Sequence, residues 1–171
     1  MGESLETSQR AAIQAEVARI LESAVFSAQG QFEAAKAWRA FHWTLGVLTA
    51  ALSALAAVLT FATEAQVASG VLAVVAAIAS ATLTSSRPDK LAERAVSRGN
   101  DYTTLRNDAR RVLYVQASSD EVCVLREALE GLAGRASDLD HTSDPIPRFA
   151  YNRAKRNIER DGGQQFEVDA L

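Results

Sequence analysis

The feature that most constrains this chain is a long stretch almost free of charge. Between Arg39 and Arg87 the only Asp, Glu, Lys or Arg is Glu64, which separates two apolar runs at about residues 41–63 and 66–86. An α-helix rises about 1.5 Å per residue and the hydrocarbon core of a bilayer is about 30 Å thick, so about 20 residues cross it. Each run is long enough, and together residues 41–86 predict a transmembrane hairpin.

A pair of buried helices in a soluble bundle is the alternative interpretation. A helix that is apolar on every side needs apolar cover on every side. Charged residues make up 23% of the 171 residues, so few other apolar helices remain to wrap two such segments. We therefore expect an all-α membrane protein: a two-helix transmembrane hairpin with an N-terminal amphipathic helix and a C-terminal cytoplasmic helical bundle.

Basic residues flank the hairpin and predict its orientation. Lys and Arg stay on the cytoplasmic side of a membrane, whereas the connecting turn carries only Glu64. Both termini are therefore expected in the cytoplasm. Trp38 and Trp43 stand at the start of the first span, where tryptophan favours the headgroup level, so both are predicted interface anchors. The basic flank comprises Lys36, Arg39, Arg87, Lys90, Arg94 and Arg98.

Helices are predicted on both sides of the hairpin. Residues 1–40 are expected to form one cytoplasmic helix that runs into the first span, because apolar residues recur there every three or four positions. Residues 88–163 are the expected cytoplasmic helical region, since Pro88 suits the first turn of a new helix. Residues 164–171 are expected to be a flexible tail.

A heptad-like seam follows Pro88, and it favours packing within the chain or between chains. Its one charged member, Arg98, either sets the register or extends to solvent. The seam comprises Leu91, Ala95, Arg98, Tyr102, Leu105, Ala109 and Val112.

Local signals divide the rest of the helical region. Ser118 and Glu121 have the spacing of a capping box, which predicts the start of another helix. Residues 137–147 are expected to form a polar loop that contains Asp138, Asp140, His141 and Asp144, and an amphipathic helix follows it.

Composition limits the chemistry of this chain. A net charge of −3 and a pI of about 5.4 provide no overall field that recruits nucleic acid. One cysteine, Cys123, excludes an intramolecular disulfide, and it falls where a small buried helical residue is expected. With His42 and His141 as the only histidines, no ordinary zinc site can be built. We expect no metal, no cofactor and no enzymatic activity.

Small and weakly polar residues fall on one side of each predicted span, and Ala56, Ala73 and Ala76 lie on these two stripes. They either mark dry helix–helix contacts or line a narrow aqueous path when several hairpins assemble. One hairpin cannot enclose water, so a homo-oligomer is expected. Glu64 is either an ordinary turn residue or the outer mouth of such a path. The candidates for pore lining or helix packing are Gly46, Thr49, Ser53, Thr60, Thr63, Ser69, Ser80 and Thr84.

The order of elements resembles the SLATT families, two-transmembrane effector domains associated with bacterial nucleotide-signalling and nucleotide-sensing proteins. The resemblance covers about residues 10–163. It depends on ILESAVFSAQGQFEAAKAWRAFHW, on the hairpin, on YTTLRNDARRVL and on DPIPRFAYNRAKRNIERDGG. None of these segments is a catalytic signature.

The resemblance implies a membrane-perturbing, pore-forming effector in bacterial anti-phage defence or inter-strain conflict. It implies a location in the bacterial inner membrane, and a separate sensor or nucleotide-signalling protein as the partner that controls it. The alternative is a structural membrane adaptor, in which the hairpin anchors a cytoplasmic interaction surface. Ion flux separates the two, because an anchor leaves liposomes tight.

The predicted orientation can be tested by thiol labelling in intact cells. We expect the cysteine of an Ala65→Cys variant to react with an impermeant external thiol reagent, because the turn lies outside. Cys123 of the wild type should stay unlabelled until the cells are permeabilised. Labelling of Cys123 in intact cells would contradict the orientation.

Overall fold

A computed structural model describes residues 2–62 and 66–163 of the chain, and every regular element in these ranges is helical, as expected for an all-α protein. The predictions made for Thr63, Glu64 and residues 164–171 lie outside the described residues. The elements are α1 (Gly2–Ala62), α2 (Gln66–Ser86), α3 (Pro88–Arg111), a π-helical turn (Val112–Gln116), α4 (Ala117–Ser119), α5 (Val122–Thr142) and α6 (Arg148–Glu159).

The chain divides into two compact units. The first, called the bundle, comprises Met1–Ala34 and Ala95–Leu171. The second, called the hairpin unit, comprises Ala35–Arg94. Helix α1 is continuous from Gly2 to Ala62, which confirms that the N-terminal helix runs into the first apolar segment without a break.

One apolar cluster forms the core of the bundle. The N-terminal half of α1 contributes a stripe that begins at Ile13, α3 contributes every third or fourth residue, and α5 contributes Leu125 and Leu132. Side chains at this spacing share one helical face, so each helix buries one side only. The buried members are Ile13, Val17, Ala24, Ala28, Tyr102, Leu105, Ala109, Val112, Leu125 and Leu132.

Two polar contacts link α3 to α5 beside this core. The hydroxyl of Tyr102 donates to Asp140 Oδ1 at 2.8 Å, and burial, together with this carboxylate, raises the pKa of Tyr102. Asp108 forms ion pairs with Arg135 and with Arg111. The hydrogen bond from Arg135 holds the pKa of Asp108 below its usual range.

The guanidinium of Arg10 binds the turn between α4 and α5. It donates to the carbonyl of Ala117 at 2.5 Å and to that of Asp120 at 2.8 Å. Carbonyls at the C-terminal end of a helix lack partners within the helix, and Arg10 supplies them. Sequence separation hid this contact, because Arg10 is more than 100 residues away along the chain.

The predicted capping box is wrong. Ser118 lies inside the turn of α4, and its hydroxyl donates backwards to the carbonyl of Val115 at 2.9 Å. The N-cap of α5 is Glu121, which makes no side-chain cap hydrogen bond. The helical conformation continues to Ser119, so the chain becomes extended only at Asp120, two residues after Ser118, which the capping box would place at the N-cap.

Helix α5 corrects two further expectations. It continues to Thr142, so Ser137 to Thr142 are helical and the loop is shorter than predicted. Leu139 packs against the core, and this contact extends the apolar face. Cys123 is exposed, not buried, because it lies two positions before Leu125 and therefore about 200° away around the helix.

Close packing at a glycine fixes the loop that leads to α6. A Cβ on Gly30 would lie 2.9 Å from Ile146 Cδ1, closer than van der Waals contact allows. One residue on, the amide of Gln31 donates to the carbonyl of Asp144 at 3.1 Å. Helix α1 therefore holds the Pro145–Pro147 segment through one apolar and one polar contact.

The junction of α2 and α3 is sharp. Helix α2 ends at Ser86 and α3 begins at Pro88, as the proline predicts. Arg87 between them has φ 42°, in the left-handed region. Its amide still donates to the carbonyl of Leu83 at 3.1 Å, and its own carbonyl accepts from Lys90 at 2.9 Å. One residue thus ends a helix and starts the next.

Loss of core volume at Leu105 should destabilise the bundle. Leu105 is 1% exposed, and Leu→Ala in such a core costs about 2–5 kcal/mol of unfolding free energy. Leu5→Ala is the matched control in the same bundle, since Leu5 is 60% exposed and the change should cost about 0.5 kcal/mol or less. Unfolding followed by circular dichroism in mild detergent measures both. Equal shifts would contradict this core.

The Asp108 ion pairs predict a stability that depends on pH. Because the folded state lowers the pKa of Asp108, its contribution is complete above the unfolded pKa of about 3.9 and is lost as the pH falls through the folded value. Asp108→Asn should therefore cost about 1 kcal/mol or less at pH 7. The difference from wild type should vanish at strongly acidic pH. Urea-unfolding midpoints at both pH values test this, and a difference independent of pH would exclude the ion pairs as its source.

Candidate functional site: the groove between the two apolar helices

A groove of about 550 Å³ lies between the apolar part of α1 and α2, within the hairpin unit. Its α1 side has lining residues at positions i, i+4, i+7 and i+11, and its α2 side repeats that spacing, so each helix presents one face. The lining residues are Thr49, Ser53, Ala56, Ala57, Thr60, Ser69, Gly70, Ala73, Ala76, Ala77 and Ser80.

Every lining side chain is small. Ala56, Ser69 and Ala76 are the buried residues among the described part of the two apolar segments, with 5–7% exposure. Small residues let helix backbones approach closely, which is how helices associate in a lipid environment. The groove is thus a contact face that is incompletely filled by its own two helices.

The hydroxyls in the groove fall into two groups. Thr49 and Thr60 each donate to the carbonyl four residues earlier at 2.8 Å, and Ser69 donates to the carbonyl of Gln66 at 2.9 Å. These three are satisfied within their own helix. The hydroxyls of Ser53 and Ser80 donate to no partner among residues 2–62 and 66–163, so they retain hydrogen-bonding capacity at the groove.

Some of the predicted lining residues line this groove, and others do not. Thr49, Ser53, Thr60, Ser69 and Ser80 are brought together at the groove. Gly46 and Thr84 are not among its lining residues, and Thr63 and Glu64 lie outside the described part of the chain. Gly70, Ala57 and Ala77 were missed, although a face two residues wide at each turn would have included them.

The outer surfaces of the same two helices are large and apolar. An 18-residue window in each has a mean hydropathy of 2.0, and only 6% and 11% of the two windows are buried. Both helices are long and apolar enough to cross a membrane. The exposed large side chains are Val47, Leu48, Leu55, Val58, Phe61, Val67, Val71, Val74, Val75 and Ile78.

Aromatic residues stand where the apolar segment of α1 begins. Trp43 is 67% exposed, and Trp38 packs edge-on against Phe41 with ring centroids 6.4 Å apart. Nδ1 of His42 is buried and has no partner among the described residues. Indole rings in this position suit a boundary between apolar and polar surroundings.

The residues of the predicted seam serve the interior of a single chain. Those from Ala95 onward, Arg98 excepted, are buried, and several join the core cluster with residues of α1 and α5. Leu91 is half-buried in the hairpin unit. Arg98 is half-buried and pairs with Asp101 on its own helix at 3.5 Å. The buried seam residues are Ala95, Tyr102, Leu105, Ala109 and Val112.

The described residues contain no cluster of metal-binding side chains. Among residues 2–62 and 66–163 there is no cluster of three or more His, Cys, Asp or Glu side chains that could hold a metal ion. Asp140, which lies in the segment predicted to be a polar loop, accepts a hydrogen bond from the Tyr102 hydroxyl and so has a structural contact. The groove therefore offers close packing and hydroxyl groups, not an acid, base or nucleophile.

No protein-family model, curated protein or solved structure matches this chain. The groove, the exposed apolar surface and the charges are the features of the chain that bear on its function.

Proposed function

We propose that this chain is an integral membrane protein that acts, without enzymatic activity, as a pore-forming effector. The observation that carries the proposal is the exposure of the large apolar side chains on α1 and α2, of which Phe61 is 90% and Val67 83% exposed. The core helices of a soluble protein bury such residues. Lipid is the medium that covers them at no cost.

The groove supports assembly into a homo-oligomer. A hydroxyl without a partner in an apolar medium costs free energy, and the hydroxyls of Ser53 and Ser80 have no partner among the described residues. A neighbouring hairpin or water can satisfy them. The buried seam of α3 is already used within one chain, so assembly through the small-residue faces is the simpler arrangement.

Water in the open state would meet the hydroxyl-bearing faces of several hairpins. The described parts of residues 41–62 and 66–86 carry no Asp, Glu, Lys or Arg, so such a path has no charged ring at hydrocarbon depth. It would discriminate ions by size more than by charge. A channel of this kind dissipates the membrane potential of the cell that holds it.

The SLATT resemblance adds the biological setting to this proposal. A bacterial inner-membrane location, with both termini in the cytoplasm, matches the basic residues on either side of the hairpin. The trigger would come from a separate sensor or nucleotide-signalling protein that acts on the cytoplasmic helices. Damage to the membrane would then serve anti-phage defence or conflict between strains.

A membrane adaptor is the second candidate, and one observation favours it. Thr49, Thr60 and Ser69 satisfy their hydroxyls within their own helices. Hydroxyls bonded in this way are compatible with a dry interface that never meets water. In that case the hairpin only anchors the bundle.

Depolarisation of producing cells separates the two candidates. We expect overproduced wild type to depolarise bacteria, as reported by a voltage-sensitive dye. The combined change Thr49→Leu, Ser53→Leu and Thr60→Leu should abolish the signal at equal membrane abundance, because leucine fills the groove and removes its hydroxyls.

The matched control combines Thr44→Leu with Thr82→Leu. These threonines are exposed outside the groove and bond to their own helix, so the control should depolarise like wild type. Depolarisation that survives the triple change would exclude those three residues as pore lining. Wild type that depolarises neither cells nor liposomes, while it resists extraction by alkaline carbonate, would favour the adaptor.

A further inference from the structure

Helix α6 carries the densest positive charge of the chain. Residues 148–160 contain five basic residues and one acidic residue, although the whole protein has a net charge of −3. The acidic residue, Glu159, pairs with Lys155 at 3.8 Å. The four basic residues that remain are all arginines and all exposed: Arg148, Arg153, Arg156 and Arg160.

Several other arginines of the bundle bind groups of the same chain through their side chains. Arg135 binds Asp108, Arg98 binds Asp101, and Arg10 binds backbone carbonyls. Within residues 2–62 and 66–163, the four arginines of α6 and its C-terminus make no ion pair and no side-chain hydrogen bond. Their charge is therefore available to a partner that carries negative charge.

The orientation of α6 is fixed by its buried side, about 110° around the helix from the arginines. Ala150 and Ala154 are 0% exposed, so the helix packs closely along that side. Phe149, Arg153, Arg156 and Arg160 follow the spacing i, i+4, i+7 and i+11, which places them along one outward stripe. Phe149 is 47% exposed, so the stripe combines one aromatic ring with three guanidinium groups.

We propose that this stripe docks on anionic lipid headgroups at the membrane surface. Guanidinium groups bind phosphate oxygens through paired hydrogen bonds, and an aromatic ring inserts at the headgroup level. A helix with a basic face and an exposed aromatic ring is typical of interfacial binding. Anionic lipids attract basic residues near the surface, so the charge of the stripe complements the charge of the bilayer.

Covalent tethering favours lipid over other polyanions. Gln31 contacts the loop before α6, and Phe41, where the first apolar run starts, lies only ten positions after Gln31. Ten residues reach at most about 36 Å even when fully extended. The stripe would thus meet a bilayer at high effective concentration. This inference rests on the membrane location proposed above, and not on pore formation.

Headgroup quenching in nanodiscs tests the proposal on the full chain. A fluorophore is attached to the cysteine of an Asn152→Cys variant in a Cys123→Ser background, since Asn152 is exposed beside the stripe. The quencher is a phosphatidylcholine with a nitroxide on its headgroup. We expect strong quenching in an equal mixture of phosphatidylcholine and phosphatidylglycerol, weak quenching in phosphatidylcholine alone, and loss of the difference at high salt.

Two triple variants identify the responsible groups. Arg153→Gln, Arg156→Gln and Arg160→Gln together should remove the quenching seen with anionic lipid, because they remove three charges. Arg153→Lys, Arg156→Lys and Arg160→Lys together should retain most of it, because they keep the charge. Equal helicity of both variants by circular dichroism shows that α6 remains folded.

The outcomes separate this inference from the proposed function. A protein that inserts and resists carbonate, yet shows no quenching that depends on anionic lipid, would overturn the docking stripe and leave the membrane location intact. A protein that fails to insert would overturn the membrane location, and the stripe with it. Binding of a labelled RNA oligonucleotide that the Gln variant loses, in discs of either lipid, would assign the stripe to nucleic acid instead.

Discussion

The apolar surface of two long helices is the constraint on which the rest of this molecule depends. A large aliphatic or aromatic side chain gains about 1.5–3 kcal/mol when it leaves water. A domain is stable by only about 5–15 kcal/mol, so leaving a handful of such residues in water forgoes a free energy comparable with that whole stability. The hairpin exposes more than a handful, from Val47 to Ile78. Both helices are long and apolar enough to cross a bilayer, which would cover these residues.

The hairpin reverses the arrangement found in a soluble protein. Its large residues point outward, and its small residues, such as Ala56 and Ala76, face the groove. Close backbone approach supplies the packing between the two helices. Most hydroxyls are satisfied locally, whereas Ser53 and Ser80 are not satisfied among the described residues. These two serines are the polar groups through which the groove would recognise either a second hairpin or water.

Polar contacts hold the turns and helix ends of the bundle, which its alanine-rich core defines only weakly. Alanine buries little area, so positions such as Ala24, Ala28 and Ala109 set spacing more than they contribute stability. Specific bonds complete the arrangement. Arg10 satisfies carbonyls at the α4–α5 turn, Tyr102 reaches Asp140, and Gln31 holds the loop before α6. The basic stripe of α6 is left outside this network, and that separation makes it available to a partner.

Periodicity and charge in the sequence determined the helical class, the two apolar segments, the unbroken α1 and the break at Pro88, because each depends on neighbouring residues alone. The tertiary structure decided what local patterns cannot encode. The helix passes through Ser118 because Arg10, distant in sequence, binds the carbonyls of the turn that follows. Helix α5 continues to Thr142 because Leu139 packs against the core and Asp140 binds Tyr102. Cys123 faces outward because Leu125, two positions later, faces the core. The groove depended on both: the sequence marked the small residues, but only the pairing of α1 with α2 selected Ser53 and Ser80 over Gly46 and Thr84. Facing residues are set by how two helices cross, and that crossing is a property of both surfaces together.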